Sequence, residues 1–277
     1  MVDVFGEQAY LGNPVAVVLG ADGMGTEQMQ RVAAWANLSE TAFVVAPTRP
    51  EADYRVRIFT PGEELAFAGH PTLGSAHAWL AWRGTGVEDL EPGGEVVQEC
   101  GVGLVPVRRT RSGLAFAAPP LVRSGAPAKA LVAELAAQLG LSADDVVGAQ
   151  WVDNGPGWVA LELASAQDVL AVRCPVSLSH NLGLVGRWPP GWPTAYEVRA
   201  FFVKDAGGTV AEDPVTGSLN ASLAQWLVGS GRFAAPYAVS QGSALGRGGV
   251  VHIDQDHGGR LWVGGSTLTC AHGRLVA

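Results

Sequence analysis

Two stretches of this chain, offset by about 143 residues, repeat one another, and a duplication of that span restricts the fold to two similar halves. The first opens with Tyr54-Arg-Val-Arg-Ile-Phe59 and the second with Tyr196-Glu-Val-Arg-Ala-Phe201, both alternating as strands do. Each continues through a loop into a proline-led apolar segment: Gly69-His70-Pro71-Thr72-Leu73-Gly74-Ser75-Ala76 in one, Glu212-Asp213-Pro214-Val215-Thr216-Gly217-Ser218-Leu219 in the other. Pro71 aligns with Pro214, Gly74 with Gly217, Ser75 with Ser218, and His70 with Asp213. A duplicated fold that shares only packing signals accounts for the strands and prolines. It accounts less well for a polar residue placed just before each proline.

Both segments read as helix starts, with proline expected at the first helical position, where its missing N–H has no partner to lose. Leu73, Ala76, Ala78, Trp79 and Leu80 follow in one copy, and Leu219, Ala221, Leu223, Ala224, Trp226 and Leu227 in the other. Helices apolar on every face are buried helices, so the pattern predicts two of them, each wrapped by its own sheet. A helix N-terminus presents unpaired N–H groups and partial positive charge, which suits a carboxylate. Gly74, Ser75, Gly217 and Ser218 fall in or near those first turns, with glycine expected to admit a ligand close to the backbone. If a cleft separates the halves, His70 and Asp213 would flank one anionic substrate as proton-handling groups.

Upstream, Asn37-Leu-Ser-Glu40 places a carboxylate between a helix-like segment, 26–36, and a strand, 42–46. Carboxylates seldom sit inside apolar runs unless they are paired or used. Taken singly, each candidate has an ordinary reading: Glu40 as a turn residue, His70 as a structural histidine, Asp213 as a helix cap before Pro214. Their combination with the repeat is what points to chemistry.

Composition narrows the partners. The net charge is −8 and the few basic residues form no stripe, which argues against nucleic acid. Arg108-Arg109-Thr110-Arg111 reads as a hairpin tip or a domain junction. Cys100, Cys174 and Cys270 are scattered, giving neither a disulfide framework nor metal spacing. No apolar stretch reaches the roughly 18 residues that a membrane span needs, and no basic-then-apolar leader opens the chain. The expectation is a cytoplasmic protein with no membrane partner.

Several motifs together resemble the phenazine-biosynthesis PhzF-like family, in the family's order. They are Asp3-Val-Phe, Gly12-Asn-Pro-Val-Ala-Val-Val, Asn37-Leu-Ser-Glu40-Thr, Phe59-Thr-Pro, Glu64-Leu-Ala-Phe-Ala-Gly-His-Pro-Thr-Leu-Gly74 and Glu212-Asp-Pro-Val-Thr-Gly-Ser218, followed by Gln241-Gly-Ser-Ala-Leu-Gly-Arg-Gly-Gly249 and Val263-Gly-Gly265. The resemblance implies an α+β fold of the diaminopimelate-epimerase type, with two pseudo-symmetric β-barrel-like domains each wrapping a central helix. It implies a cofactor-independent, metal-independent isomerase that moves a proton on a small anionic carboxylic acid, and in characterised members that acid is trans-2,3-dihydro-3-hydroxyanthranilate. By this likeness Glu40 is the proton carrier, and His70, Asp213 and Ser218 are the supporting groups; for the chemistry to run at neutral pH, Glu40 is expected to need a pKa raised by partial burial. Ser39, Gly69 and Thr216, beside them in the chain, join Gly74, Ser75, Gly217 and Ser218 as expected substrate-binding residues. The likeness also implies a homodimer.

The expected division is residues 1–112 with 267–277, carrying Glu40 and His70, and residues 113–266, carrying Asp213 and Ser218. A linker near 111–126 joins them, and the last strand, 267–277, returns to the first domain. Two departures stand out: alanine in Glu64-Leu-Ala-Phe, where the family often has proline, and Asn220, which either reaches the pocket or caps something. Epimerases of this fold use two thiols where this chain has His70 and Asp213, so a two-thiol racemase is not expected. Cys100-Gly-Val-Gly103 is followed by an alternating strand and reads as an inert thiol. His252-Ile-Asp254-Gln-Asp256-His257 reads as a strand entering a hairpin turn rather than a metal site. Gly246-Arg-Gly-Gly249 makes a poor phosphate loop, and most of the nine tryptophans are expected in cores or interfaces. A protein that kept this fold as a small-molecule or protein binder and lost the chemistry is the alternative.

Overall fold

The computed structural model describes residues 1–204 and 208–276. The chain forms two compact units, one built from residues 1–117 together with 263 onward, the other from 118–262. The sequence places the junctions at 112/113 and 266/267. They fall elsewhere because Gly113–Ala117 is the return arm of a hairpin with Gly103–Thr110, and Gly264 packs onto Leu114 so closely that a Cβ there would stand 2.4 Å from the Leu114 carbonyl oxygen. The Arg108–Arg111 run is the tip of that hairpin, with Thr110 paired to Gly113 across the turn.

In the first unit the elements are β1 (Val2–Val4), β2 (Asn13–Val18), α1 (Thr26–Ala36), β3 (Thr41–Val45), β4 (Tyr54–Phe59), β5 (Glu64–Leu65), α2 (Gly69–Trp82), β6 (Glu95–Cys100), β7 (Gly103–Thr110) and β8 (Gly113–Ala117). The last strand, Thr267–Thr269, pairs antiparallel with β1 and is shorter than the expected 267–277. The second unit comprises β9 (Arg123–Gly125), α3 (Lys129–Gln138), β10 (Val146–Asp153), β11 (Val159–Leu163), α4 (Ala166–Ala171), β12 (Leu182–Arg187), β13 (Tyr196–Val203), β14 (Val210–Asp213), α5 (Gly217–Gly229), β15 (Tyr237–Gln241) and β16 (Gly249–Gln255).

The duplication extends to the strand pairing. From β1 the order is antiparallel to β2, parallel β2–β3, antiparallel β3–β4 and β4–β5, parallel β4–β6, antiparallel β6–β7. From β10 the same order recurs: antiparallel to β11, parallel β11–β12, antiparallel β12–β13 and β13–β14, parallel β13–β15, antiparallel β15–β16. A parallel pair needs a crossover, and the helices α1, α2, α4 and α5 are those crossovers.

The apolar wrap of α2 has the consequence read from the sequence. Its residues from Gly69 to Ala76, and Leu80, are buried, and it touches β1, β2, β3, β4, β6, β7, β8 and the last strand. In α5 Leu219, Ala221, Leu223, Ala224, Trp226 and Leu227 are likewise buried. By contrast α1 is two-faced: Met29 and Ala33 pack with Ala21, Phe43 and Phe59, while Trp35 stands 82% exposed. It ends at Asn37 in the left-handed conformation (φ 50°, ψ 36°), which Asn tolerates better than most residues. That turn aims the chain at Ser39 and Glu40 before β3 begins.

Gly74 sits where α2 crosses β2. A Cβ at this position would lie 2.4 Å from Cγ1 of Val15, a buried β-branched side chain with little freedom to yield. Gly74→Ala should therefore lower stability by about 1–3 kcal/mol through overpacking. Val15→Ala in the same chain should recover part of that loss, as read by chemical denaturation. No loss at all would show that the helix can move aside, and a loss that Val15→Ala leaves unrecovered would place the crowding at another neighbour such as Val4.

Candidate active site

Glu40 lies in the short irregular segment between α1 and β3, and its side chain keeps 16% of its surface open. His70 is the second residue of α2 and is buried. The two meet, with His70 Nε2 standing 3.5 Å from Glu40 Oε2. On the far side of the ring Asn13 Nδ2 is 3.4 Å from Nδ1. Burial drives the His70 imidazole down from its ordinary 6.5 to about 3, with a backbone hydrogen bond at Pro14 opposing the shift. His70 is thus neutral near pH 7, and its contact with Glu40 is dipolar rather than ionic. With the proton on Nε2, the ring offers an N–H to the Glu40 carboxylate and takes one from Asn13. With the proton on Nδ1, it faces Glu40 as an acceptor, the arrangement that suits a protonated Glu40.

The neutral histidine has a measurable consequence. Between about pH 3 and 6.5 the unfolded chain binds a proton at His70 that the folded chain refuses. Stability from this residue is therefore complete above the ordinary histidine range and is lost as pH falls toward 3. His70→Gln should flatten the fall in melting temperature between pH 6.5 and 4 relative to the unsubstituted chain, the window set by that same shift. Parallel curves would mean that the ring is not held neutral.

In the second unit Asp213 is the last residue of β14, opposite Ala200 of β13. Thr216 Oγ1 donates to Asp213 Oδ2 at 2.6 Å. Ser218 opens α5 as its second residue. Its hydroxyl accepts from Trp158 Nε1 at 3.2 Å, and its carbonyl accepts from Asn154 Nδ2 at 3.0 Å. No side chain caps either α2 or α5.

Several expectations need correction. Pro71 is the third residue of α2, not the first, and Pro214 precedes α5 altogether, because that helix begins at Gly217 with Thr216 as its N-cap. Asp213 is therefore no cap. The aligned pair His70 and Asp213 sit in different settings, one inside a helix and the other at a strand end. Gly74 serves helix–strand packing rather than close approach of a ligand, since Val15 fills the space. Ser75 is fully buried, so its hydroxyl meets no solvent-borne group. Gly69, Thr216 and Gly217 are buried too, whereas Ser39, Glu40, Asp213 and Ser218 are partly open. Asn220 is locked inside, donating to the Thr216 carbonyl at 2.9 Å and to Gln241 Oε1 at 2.8 Å, so it braces the helix start.

Sequence reasoning missed Asn13 and Gln241 as site residues, although both stand within the motifs it singled out. The available signal was a polar residue at a strand position facing the helix start. Cys100 closes β6 and is buried, and desolvation raises its thiol pKa, as befits an unreactive cysteine. The His252–His257 stretch is the end of β16 and a tight turn. There Asp256 accepts from Trp262 Nε1 at 3.0 Å and from the N–H groups of Gly258 and Arg260. Among the described residues no three His, Cys, Asp or Glu side chains gather as a metal site, and no helix is long and apolar enough to cross a membrane.

Comparison with known proteins agrees across the whole chain. Residues 2–273 match the family described as phenazine biosynthesis-like protein. The trans-2,3-dihydro-3-hydroxyanthranilate isomerase of Pseudomonas fluorescens is 32% identical over 292 residues, covering 100% of this chain and 98% of that protein. An uncharacterized isomerase of Pasteurella multocida is 30% identical over 283 residues, covering 99% of this chain and 92% of its own. Among solved structures, a predicted epimerase from Pseudomonas aeruginosa superposes with a TM-score of 0.78 at 26% identity, covering 100% of this chain and 98% of that one.

Proposed function

The chain belongs to the phenazine biosynthesis-like family and is an isomerase, and from that premise we propose that it moves a proton between carbons of a small cyclic carboxylic acid. The acid we infer is of the dihydro-hydroxyanthranilate type, the substrate named for the Pseudomonas relative. The observation that carries the reading is the pairing of partly open Glu40 with buried, neutral His70 at 3.5 Å. A carboxylate so placed can reach a substrate C–H. The ring behind it adapts by tautomer exchange as the carboxyl group gains and gives up the proton.

Glu40 takes the proton from one carbon and returns it to another. Asp213, held by the Thr216 hydroxyl, steadies the charge that changes as the double bonds move. The first turn of α5, partly open at Ser218, is the part of this unit we assign to the substrate carboxylate, through its partial positive charge. Ser39 and Ser218, both partly open, supply orienting hydroxyls. In this reading the sheet of each unit curls into a half-barrel about its helix, which the contacts of α2 with eight strands of its own unit support.

The test is incubation of the chain with trans-2,3-dihydro-3-hydroxyanthranilate in deuterated water, followed by mass spectrometry and proton NMR. Isomerised product carrying solvent deuterium at one carbon supports the reading. Binding without exchange or isomerisation would overturn it for this substrate type and leave a non-catalytic binder.

A further inference from the structure

Gln241 ends β15 in the second unit, is almost fully buried, and has its side-chain amide completely used. Its Oε1 accepts from the Thr216 N–H at 3.0 Å and from Asn220 Nδ2 at 2.8 Å. Its Nε2 donates to the Asp213 carbonyl at 3.2 Å and to Thr216 Oγ1 at 3.0 Å. The orientation of the amide is not a free choice: a backbone N–H can only donate and a backbone carbonyl can only accept, so oxygen must face Thr216 and nitrogen must face Asp213. One consequence concerns the Thr216 hydroxyl, which has a single proton. With Gln241 donating to its oxygen, that proton is directed to Asp213 Oδ2, 2.6 Å away.

The first unit carries a counterpart. Gln98 on β6, the strand corresponding to β15, donates through Nε2 to Thr72 Oγ1 at 2.9 Å, and Thr72 Oγ1 donates to the Ala68 carbonyl at the start of α2. The offset from Gln98 to Gln241 is 143, the same as that of the repeat. Both glutamines lie on a strand parallel to its neighbour, at pairings of Tyr54 with Gln98 and of Val198 with Gln241. A glutamine–threonine contact thus stands near the start of each buried helix, although the threonines are 144 residues apart and do not align in the repeat, where Thr72 falls opposite Val215.

We propose that Gln241 is a positioning residue that, through Thr216, fixes one carboxylate oxygen of Asp213 and biases that group toward its charged form. The proposal rests on the reading of Asp213 as part of the chemistry, but its test does not need turnover. Among the described residues, the charged groups beside Asp213 include the Glu212–Arg199 pair on its own and the adjacent strand, and the Arg247 Cβ lies 2.8 Å from where a Cβ on Gly242, next to Gln241, would stand. They stay constant across the variants.

The experiment titrates the side-chain carboxyl carbons of ¹³C-aspartate-labelled chains, with Asp213 assigned by its loss in Asp213→Asn. In Gln241→Glu the new carboxylate accepts the Thr216 proton and turns it away from Asp213, besides adding like charge. The Asp213 midpoint should move up by about 1 in pH. Thr216→Val keeps the backbone bond to Gln241 and removes only the hydroxyl. It should raise the midpoint by less, and it reports the same link if Gln241→Glu fails to fold. Gln241→Glu should also lower kcat about 10- to 100-fold with KM little changed, as misorientation does. An Asp213 midpoint unmoved in a folded Gln241→Glu or Thr216→Val chain overturns the proposal. Full turnover by Asp213→Asn would instead overturn the role given to Asp213, whatever the titration shows.

Discussion

Glu40→Gln is expected to lower turnover about 10³-fold while leaving the fold in place, since general acid–base catalysis by one side chain contributes about 10²–10⁴. The amide matches the carboxylate in size and can still bond to the neutral His70 ring 3.5 Å away, so neither packing nor orientation should suffer. What it loses is the capacity to accept and release a proton. The effect should therefore fall on kcat and on solvent deuterium incorporation, with KM and melting temperature close to those of the unsubstituted chain. A loss smaller than tenfold would mean that another group carries the proton, and Asp213 would be examined next.

The second large effect concerns stability. Each copy of the Tyr-x-Val-Arg motif ends in an arginine that forms a bidentate pair with a glutamate on the adjacent strand. Arg57 donates to Glu64 at 2.7 and 2.6 Å, and Arg199 to Glu212 at 2.9 and 2.7 Å. Geometry is nearly the same and burial is not: the side chains are 20% and 38% exposed in the first pair but 4% and 4% in the second. Arg199 also donates to the carbonyls of Val169 and Val172 at the base of α4. Glu212→Ala strands a desolvated guanidinium and should cost about 3–5 kcal/mol. At about 2–4 °C per kcal/mol for a chain of this size, the melting temperature should drop by roughly 10 °C. Glu64→Ala leaves Arg57 in reach of water and should cost about 1 kcal/mol or less. Equal costs for the two, measured by denaturant unfolding, would show that burial does not set the difference.

The paired arginines also show what the sequence could and could not disclose. The strand motif and the Pro-x-x-Gly-Ser segment recur at one offset, so two similar α+β halves with buried helices were legible, as was a helix, loop and strand around Glu40. The helix starts were not. Proline marks a place where an N–H is dispensable, but the first turn has several such places, and Thr216 rather than the residue before Pro214 became the cap. Glycine carries two meanings in sequence, close approach of a ligand or of another chain segment, and only the 2.4 Å clearance to Val15 shows that Gly74 has the second. Asn13 and Gln241 escaped for a different reason. Their partners lie 57 and 25 residues away, and hydrogen bonds across such spans leave no periodicity to read.

The discontinuity of the first unit bears on the order in which the chain acquires structure during synthesis. The middle segment, 118–262, emerges whole and uninterrupted. The unit that is translated first must wait for the last, because β1 takes Thr267–Thr269 as its outer neighbour. Until that strand leaves the ribosome, a row of backbone donors and acceptors on β1 stands open to any passing β-segment. Nascent chains of this architecture therefore complete their halves in the reverse of the order in which they are made.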